Sequence, residues 1–273
     1  GYGTKMGLAP MHTWKPDAYG ESPGIVGAIL AGGVTSVAFM ALLRIKSVID
    51  AAGESVFASR TLLGLGLFST LVAALFLLRT RDFKRMLAYS SIEHMGILSI
   101  AASFGAPGAW AALFHIWSNG LTKGALFLSA ANLQRAAKSS SMDDVRGMSL
   151  ILPRSSRIFV AGMFAITACP PFAPFFSELL IIRVGLGAGQ GWAIGLFLFC
   201  LLLAFLGLSR IVFAVVDGRP RLKNPERIHL KETAGIIAPS LALLVASLWL
   251  GLFTPQVLRD AWSAALLQLF AQP

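Results

Sequence analysis

The sequence contains few charged residues. Asp, Glu, Lys and Arg make up 13% of its 273 residues, whereas a soluble domain has about 25%. Hydrophobic residues make up 56%, and they form blocks of about 20, which is the length that crosses a bilayer core of about 30 Å. This composition excludes an ordinary soluble domain. It predicts an all-α, polytopic membrane protein with about eight transmembrane segments, in which residues 1–273 form a single transmembrane domain.

Cysteine is also scarce. Cys169 and Cys200 are the two cysteines of the chain; both lie in apolar segments, and their spacing indicates neither a disulfide framework nor a metal site. No Cys or His cluster is expected to hold an iron–sulfur centre or haem. The sequence therefore predicts no cofactor and no metal in this chain. Because Gly1 starts without Met or a visible signal peptide, we expect part of a longer or processed polypeptide.

Acidic residues are outnumbered, and the formal net charge is +10. The basic residues lie in short loops between apolar blocks, as the positive-inside rule produces, so we expect no nucleic-acid partner. Alternating the spans places Lys15 and three basic loops on one side, predicted to be cytoplasmic. These loops are residues 79–85, 135–157 and 219–231.

Proline marks two predicted broken helices, because it cannot donate a backbone hydrogen bond. The first is residues 1–16, broken at Pro10, and the second is residues 158–185, broken at Pro170, Pro171 and Pro174. The remaining predicted spans are residues 25–43, 62–78, 87–104, 112–131, 192–216 and 236–253. Residues 16–20, 47–59, 105–108 and 134–157 are predicted turns or loops, and the tail to Pro273 is predicted to lie at the membrane interface or against a partner.

Polar residues inside these spans are the candidate site. His115, Asn119 and Lys123 are spaced by four residues, which keeps them close to one face of a helix. An ammonium group in hydrocarbon is costly, so such residues usually face a protein interior or a water-filled cavity and mark an ion or proton pathway. The other candidates are Lys5, Glu93, His94 and Glu178, of which Lys5 and Glu178 lie beside the predicted breaks, a feature of transporters.

Packing offers an alternative role for several of these residues. For Glu93 and His94, a packing role and a proton-carrying role stay open, because a single His in a span usually serves helix packing. His12 is predicted to be interfacial, and Arg183 and Arg210 are predicted to extend toward the membrane surface. The sequence therefore favours a proton-carrying role most for Lys5, Lys123 and Glu178.

Four motifs stand in order along the chain, at residues 5–18, 81–96, 115–123 and 170–178. Together they resemble the antiporter-like proton-pumping subunits shared by respiratory complex I, multisubunit sodium/proton antiporters and membrane-bound nickel–iron hydrogenases. The strings SSIEHMG and APMHTW resemble the hydrogenase 4 and formate hydrogenlyase branch most.

This resemblance implies a fold of two inverted helical repeats, with the present chain as the second repeat and final helices. It implies that Lys5 couples to a glutamate of the first repeat, that His115 and Lys123 belong to the central helix, and that Glu178 lies at the exit of a half-channel. Three positions depart from the family. Ser36 stands where many complex I subunits carry a connecting lysine, and Lys15 and Tyr19 replace the usual Leu and His.

The implied function is proton translocation within a redox-driven complex in a prokaryotic cytoplasmic (inner) membrane. The implied partners are the lipid bilayer, other membrane subunits and, through them, peripheral subunits that hold iron–sulfur or [NiFe] centres or reduce quinone. The chain itself is expected to be non-catalytic. Two alternatives stay open: a subunit of a multisubunit cation/proton antiporter without redox coupling, and a scaffold without pumping. The sequence does not decide between H⁺ and Na⁺.

Overall fold

A computed structural model describes residues 1–220 and 231–270. These residues are mostly helical and include one isolated β-bridge, between Asp82 and Ser141, so the all-α prediction is confirmed. A π-helical turn, Leu30–Val34, joins α3 to α4. The helices are α1 (Tyr2–Met6), α2 (Trp14–Glu21), α3 (Gly24–Ile29), α4 (Thr35–Ala51), α5 (Ser55–Arg79), α6 (Phe83–Ser103), α7 (Gly105–Ala137), α8 (Met148–Ile151), α9 (Pro153–Ile166), α10 (Ala173–Gly187), α11 (Gly191–Val216), α12 (Ala234–Leu252) and α13 (Gln256–Phe270).

The first broken helix consists of α1 and α2. Gly7 ends α1 with a left-handed conformation (φ 76°), which glycine adopts without steric cost. Pro10 lies in the segment between the two helices. The prediction of a turn at residues 16–20 is wrong, because α2 contains them. Pro16 is tolerated in the first turn of α2, where a backbone N–H has no helical partner.

The next span is longer than predicted. Residues from Gly24 to Ala51 form one continuous helix, and α5 begins at Ser55, so the predicted loop at 47–59 is wrong apart from a link at residues 52–54. The polar residues there belong to helix ends. Lys46 and Asp50, four residues apart, form an ion pair of 2.6 Å that supports the last turns of α4.

Two glycines let α5 and α6 approach each other closely. A Cβ atom at either Gly66 or Gly96 would lie 2.8 Å from the carbonyl oxygen of the other glycine, so the two backbones meet where neither residue has a side chain. Asp82 caps α6 by accepting hydrogen bonds from the backbone N–H groups of Lys84 (2.8 Å) and Arg85 (2.9 Å). The position of α6 is therefore fixed at its start and near its middle.

Helix α7 lies at the centre of the fold. It contacts α3, α6, α9, α10, α12 and α13, so its polar residues are surrounded by protein. The predicted turn at 105–108 is wrong, because these residues form the first turn of α7 and only Phe104 separates α6 from α7. Pro107 is accommodated there because it lies within that first turn.

The second broken helix consists of α9 and α10. The break covers residues 167–172 and includes Pro170 and Pro171, whereas Pro174 belongs to the first turn of α10. The predicted loop at 134–157 is shorter than expected, because α7 continues to Ala137 and α8 starts at Met148. The prolines thus interrupt the helix as predicted, and they place α10 beside the middle of α7.

The predicted basic loops meet at one end of the molecule. Arg81 and Asp143 form an ion pair of 3.4 Å, and the Gly147 N–H donates to the Asp217 carbonyl oxygen at 3.1 Å. At the same end, Arg210 donates to the Thr80 carbonyl oxygen at 2.6 Å. These contacts place the described parts of the three loops on one side; residues 221–230 of the third loop lie outside the described residues.

The tail packs on its own chain. Trp262 of α13 is 5% exposed, and its ring lies 5.5 Å from Trp110 and 5.6 Å from Phe114 of α7, measured between ring centroids. The prediction that the tail lies at the interface or against a partner therefore misses its packing on α7. A sparse apolar stripe was enough to bury one face of this helix.

Four of the described helices are long and apolar enough to cross a membrane. They are Gly24–Ala51, Ser55–Arg79, Gly191–Val216 and Ala234–Leu252. Together with the arrangement of the remaining helices, they make this a polytopic membrane protein. The exact number of spans, about eight from the sequence, stays a prediction.

Candidate functional site

A cluster of buried polar side chains lies where α6, α7 and α10 meet. Helix α6 supplies Glu93 and His94, α7 supplies His115, Asn119 and Lys123, and α10 supplies Glu178. Each of these six residues is at most 3% exposed. We call this set the central cluster.

Two histidines join α6 to α7. The His94 Nδ1 and His115 Nε2 atoms lie 2.9 Å apart, and the two rings stack with centroids 5.1 Å apart. At this distance one nitrogen must carry a proton and the other must accept it. The pair therefore shares one proton and can exist in two tautomeric arrangements.

Ser177 extends this pair to α10. Its Oγ lies 2.9 Å from His115 Nδ1 and 3.2 Å from Ser118 Oγ, and it also donates to the Pro174 carbonyl oxygen at 3.0 Å. His94, His115 and Ser177 thus form an unbroken chain of hydrogen bonds across three helices. The sequence analysis missed Ser177, although its position directly before Glu178 could have indicated it.

Lys123 lies on α7, two turns beyond His115. Its side chain is fully buried, and its Nζ donates a long hydrogen bond of 3.4 Å to the Leu87 carbonyl oxygen of α6. The described residues contain three ion pairs, and Lys123 takes part in none of them. A fully buried lysine with one weak contact is typical of a lysine that changes protonation.

Several buried polar atoms of the central cluster have no hydrogen-bond partner among the described residues. They are His94 Nε2, Asn119 Oδ1 and Glu178 Oε1. An unpaired buried polar atom costs about 1–3 kcal/mol, so native structures contain few of them. Three such atoms in one cluster make it the candidate functional site.

Glu178 brings a carboxylate to the histidine pair. Ligand-type atoms of His94, His115 and Glu178 all lie within 4.8 Å of one another. Two imidazoles and a carboxylate are also the donors of zinc sites, in which metal–nitrogen distances are about 2.0–2.1 Å. The His94 Nδ1 and His115 Nε2 atoms are hydrogen-bonded to each other, so the geometry fits proton exchange directly.

Lys5 does not join the central cluster. It lies in the last turn of α1 and is exposed on this chain. Its proton-carrying role stays a prediction of the sequence and of the resemblance.

Lys15 is a buried cation that the sequence analysis missed. It was placed at the cytoplasmic side, just before a predicted turn, yet it is 0% exposed. A helical assignment for residues 14–21 would have placed Lys15 and Tyr19 on one face, four residues apart, and that spacing is the signal that could have found it.

Comparison with known proteins gives one family. Residues 1–204 match the model described as "NADH:quinone oxidoreductase/Mrp antiporter, TM". The chain is 40% identical to "Hydrogenase-4 component F homolog" of Methylacidiphilum infernorum over 185 residues, which is 67% of this chain and 38% of that protein. It is 30% identical to "NADH-quinone oxidoreductase subunit N" of Desulforudis audaxviator over 278 residues, which is 97% of this chain and 56% of that protein. The chain thus spans about half the length of the curated relatives it matches, or less.

Solved structures show the same fold. A chain of the Mrp complex from Dietzia sp. superimposes with a TM-score of 0.86 at 21% identity, covering 98% of this chain and 57% of that one. A chain of the membrane-bound sulfane sulfur reductase, an archaeal respiratory membrane complex, also superimposes with a TM-score of 0.86, at 24% identity, covering 98% of this chain and 54% of that one. At these identities the likeness concerns the fold alone.

Proposed function

Because the chain belongs to the NADH:quinone oxidoreductase/Mrp antiporter transmembrane family, we propose that it translocates protons as part of a membrane subunit of a redox-driven complex. The complex is of the membrane-bound hydrogenase, formate hydrogenlyase or complex I type. The observation that carries this proposal is the buried hydrogen-bonded chain His94–His115–Ser177. It connects α6 to α10 and lies between a buried lysine and a buried glutamate.

The histidine pair can pass a proton without moving a side chain far. When a proton arrives at the unpaired His94 Nε2, the proton on His94 Nδ1 can pass to His115 Nε2. His115 Nδ1 then releases its proton to the Ser177 hydroxyl, and the hydroxyl gives up its own proton to the Glu178 carboxylate. One proton enters and one leaves at each step, so charge is conserved. Proton transfer of this kind needs donor and acceptor within about 2.6–3.2 Å, and both contacts are 2.9 Å.

Lys123 and Glu178 occupy the two ends of this relay. Lys123 lies nearer the end of α7 that meets the basic loops, because α7 ends at Ala137 beside them. Glu178 lies in the second turn of α10, which runs from the break toward the opposite end. In the proposed path Lys123 stores a proton, the histidine pair transfers it, and Glu178 passes it onward.

The remaining assignments follow from this proposal. The protein lies in the prokaryotic cytoplasmic (inner) membrane with its basic loops in the cytoplasm, and residues 1–273 act as one transmembrane domain. It assembles with other membrane subunits and, through them, with iron–sulfur, [NiFe] or quinone-reducing peripheral subunits. Electron transfer takes place in those subunits, and this chain carries no redox cofactor.

The test uses the assembled complex in inverted membrane vesicles. We expect addition of the electron donor to acidify the vesicle interior and an uncoupler to abolish this signal. The acidification should reach the same extent in sodium-free and in sodium-containing buffer. Copurification with iron–sulfur subunits supports the same assignment. Proton movement that needs a sodium gradient and no electron donor would instead identify a cation/proton antiporter without redox coupling.

A further inference from the structure

Lys15 is buried without a hydrogen-bond partner, unlike Lys46, which pairs with Asp50, and Lys84, whose Nζ donates to the Ser22 carbonyl oxygen at 2.6 Å. Its side chain is 0% exposed, and its Nζ has no hydrogen-bond partner among the described residues. Lys46 is buried to a similar degree, at 4% exposed, but it pairs with Asp50 at 2.6 Å. A permanently charged ammonium buried without a counter-ion is strongly disfavoured. Lys15 is therefore placed where it can lose its proton.

The first break provides the space for Lys15. The Cδ and Cε atoms of Lys15 lie 2.5 Å and 2.6 Å from the point where a Cβ of residue 7 would be. Gly7 alone can fill that position, because it has no side chain and adopts a positive φ of 76°. The stem of Lys15 therefore runs inward, over the end of α1.

Tyr19 continues the inner face of α2 toward α7. It lies one turn beyond Lys15, and the Lys15 Nζ is 5.8 Å from the centroid of its ring. The Tyr19 ring is 5.5 Å from that of Phe127, which lies one turn beyond Lys123 on α7. The inner face of α2 thus leads from the first break to the part of α7 that carries Lys123.

His12 is a titratable residue of the first break, close to Lys15 in the chain. It is partly exposed, its Nδ1 has no partner among the described residues, and its carbonyl oxygen accepts the Lys15 backbone N–H at 3.0 Å. A titratable ring is therefore present one turn before the buried lysine. Imidazole exchanges protons near neutral pH, so the pair has a donor at the surface and an acceptor inside.

We propose that Lys15 is an additional proton-carrying residue, which exchanges protons between the first break at His12 and Lys123 of the central cluster. This proposal rests on the proposed function of the chain. Lys15 takes up one proton as an ammonium and gives the same proton to Lys123 after Lys123 has passed its own to the histidine pair. Since the two ammonium groups repel each other, a proton on Lys15 favours the departure of the proton on Lys123.

Two substitutions separate proton carrying from a structural role. Lys15→Met keeps the length and apolar stem of the side chain but cannot bind a proton. Lys15→Arg keeps the positive charge but cannot release it, because guanidinium stays protonated in proteins. We expect each of them to lower the number of protons moved per electron at least about twofold, at wild-type levels of the subunit in the membrane. Lys46→Met is the matched control, and we expect it to leave this ratio unchanged.

The outcomes are distinct. A wild-type ratio for Lys15→Arg means that only the charge is needed, and a wild-type ratio for Lys15→Met means that only the space is filled; either result overturns the proposal. Lys15→Gln replaces any variant that fails to accumulate, under the same criterion. Lys123→Ala is measured alongside: if it pumps normally, the proposed function fails, whereas if it alone loses pumping, only the role of Lys15 is refuted.

Discussion

Glu178→Gln tests whether the carboxyl group of α10 carries protons. Glu178 is 2% exposed, its Oε1 has no hydrogen-bond partner among the described residues, and it takes part in none of their three ion pairs. Gln has nearly the same shape and leaves at most a similar unpaired atom. The free energy of unfolding should therefore change by only about 1–2 kcal/mol, and the subunit should still assemble.

The effect on pumping should be much larger. Gln cannot ionise, and a positioned acid–base group contributes about 10²- to 10⁴-fold to a proton-transfer rate. We expect donor-driven acidification of inverted vesicles to fall at least about tenfold, normalised to the amount of subunit in the membrane. The matched control is Glu54→Gln, at the exposed start of α5, which should pump normally. Normal pumping by Glu178→Gln would refute a proton-carrying role and leave Glu178 a structural residue.

Three further predictions follow from the packing around the site. Ser177→Ala removes the partner of His115 Nδ1, so it should lower the free energy of unfolding by about 1–3 kcal/mol and should also reduce pumping. Ser99→Ala is the control, because the Ser99 hydroxyl bonds only within its own helix, and it should change pumping little. Equal effects of the two variants on pumping would remove Ser177 from the relay. Gly96→Ala should reduce the amount of the subunit in the membrane, because the added Cβ would meet the backbone of α5. Gly64→Ala, where the added Cβ faces open space, should accumulate normally. Equal amounts of the two variants would contradict the close crossing of α5 and α6. In a variant without Cys169 and Cys200, an impermeant thiol reagent outside intact cells should label a cysteine at Gly53 but not one at Lys138; the reverse pattern would contradict the proposed orientation.

The central helix and the breaks could be predicted because they depend on local chemistry. The steps of four from His115 to Lys123 fix one helical face whatever surrounds it. Pro170 and Pro171 cannot continue a helix, so the second break follows from the residues themselves. The family was also predicted from short motifs, and the comparison confirms it.

The contacts of the site could not be predicted, because they depend on how separate helices pack against each other. His94 and His115 are 21 residues apart on two consecutive helices, and their hydrogen bond depends on how α6 and α7 pack side by side. Lys15 was misassigned for a different reason. Pro16 suggested a turn, but proline is compatible with the first turn of a helix. The burial of Lys15 also depends on the space beside Gly7, which has no side chain.

The most direct test of the central claim is the number of protons moved per electron by Lys123→Ala. Lys123 is fully buried, and its Nζ makes one long hydrogen bond of 3.4 Å among the described residues, so its loss should leave assembly largely intact. The measurement compares vesicle acidification with donor consumption in the same sample, at matched levels of the subunit. Our account predicts a ratio far below that of the wild type, and an unchanged ratio would show that protons do not pass through the central cluster.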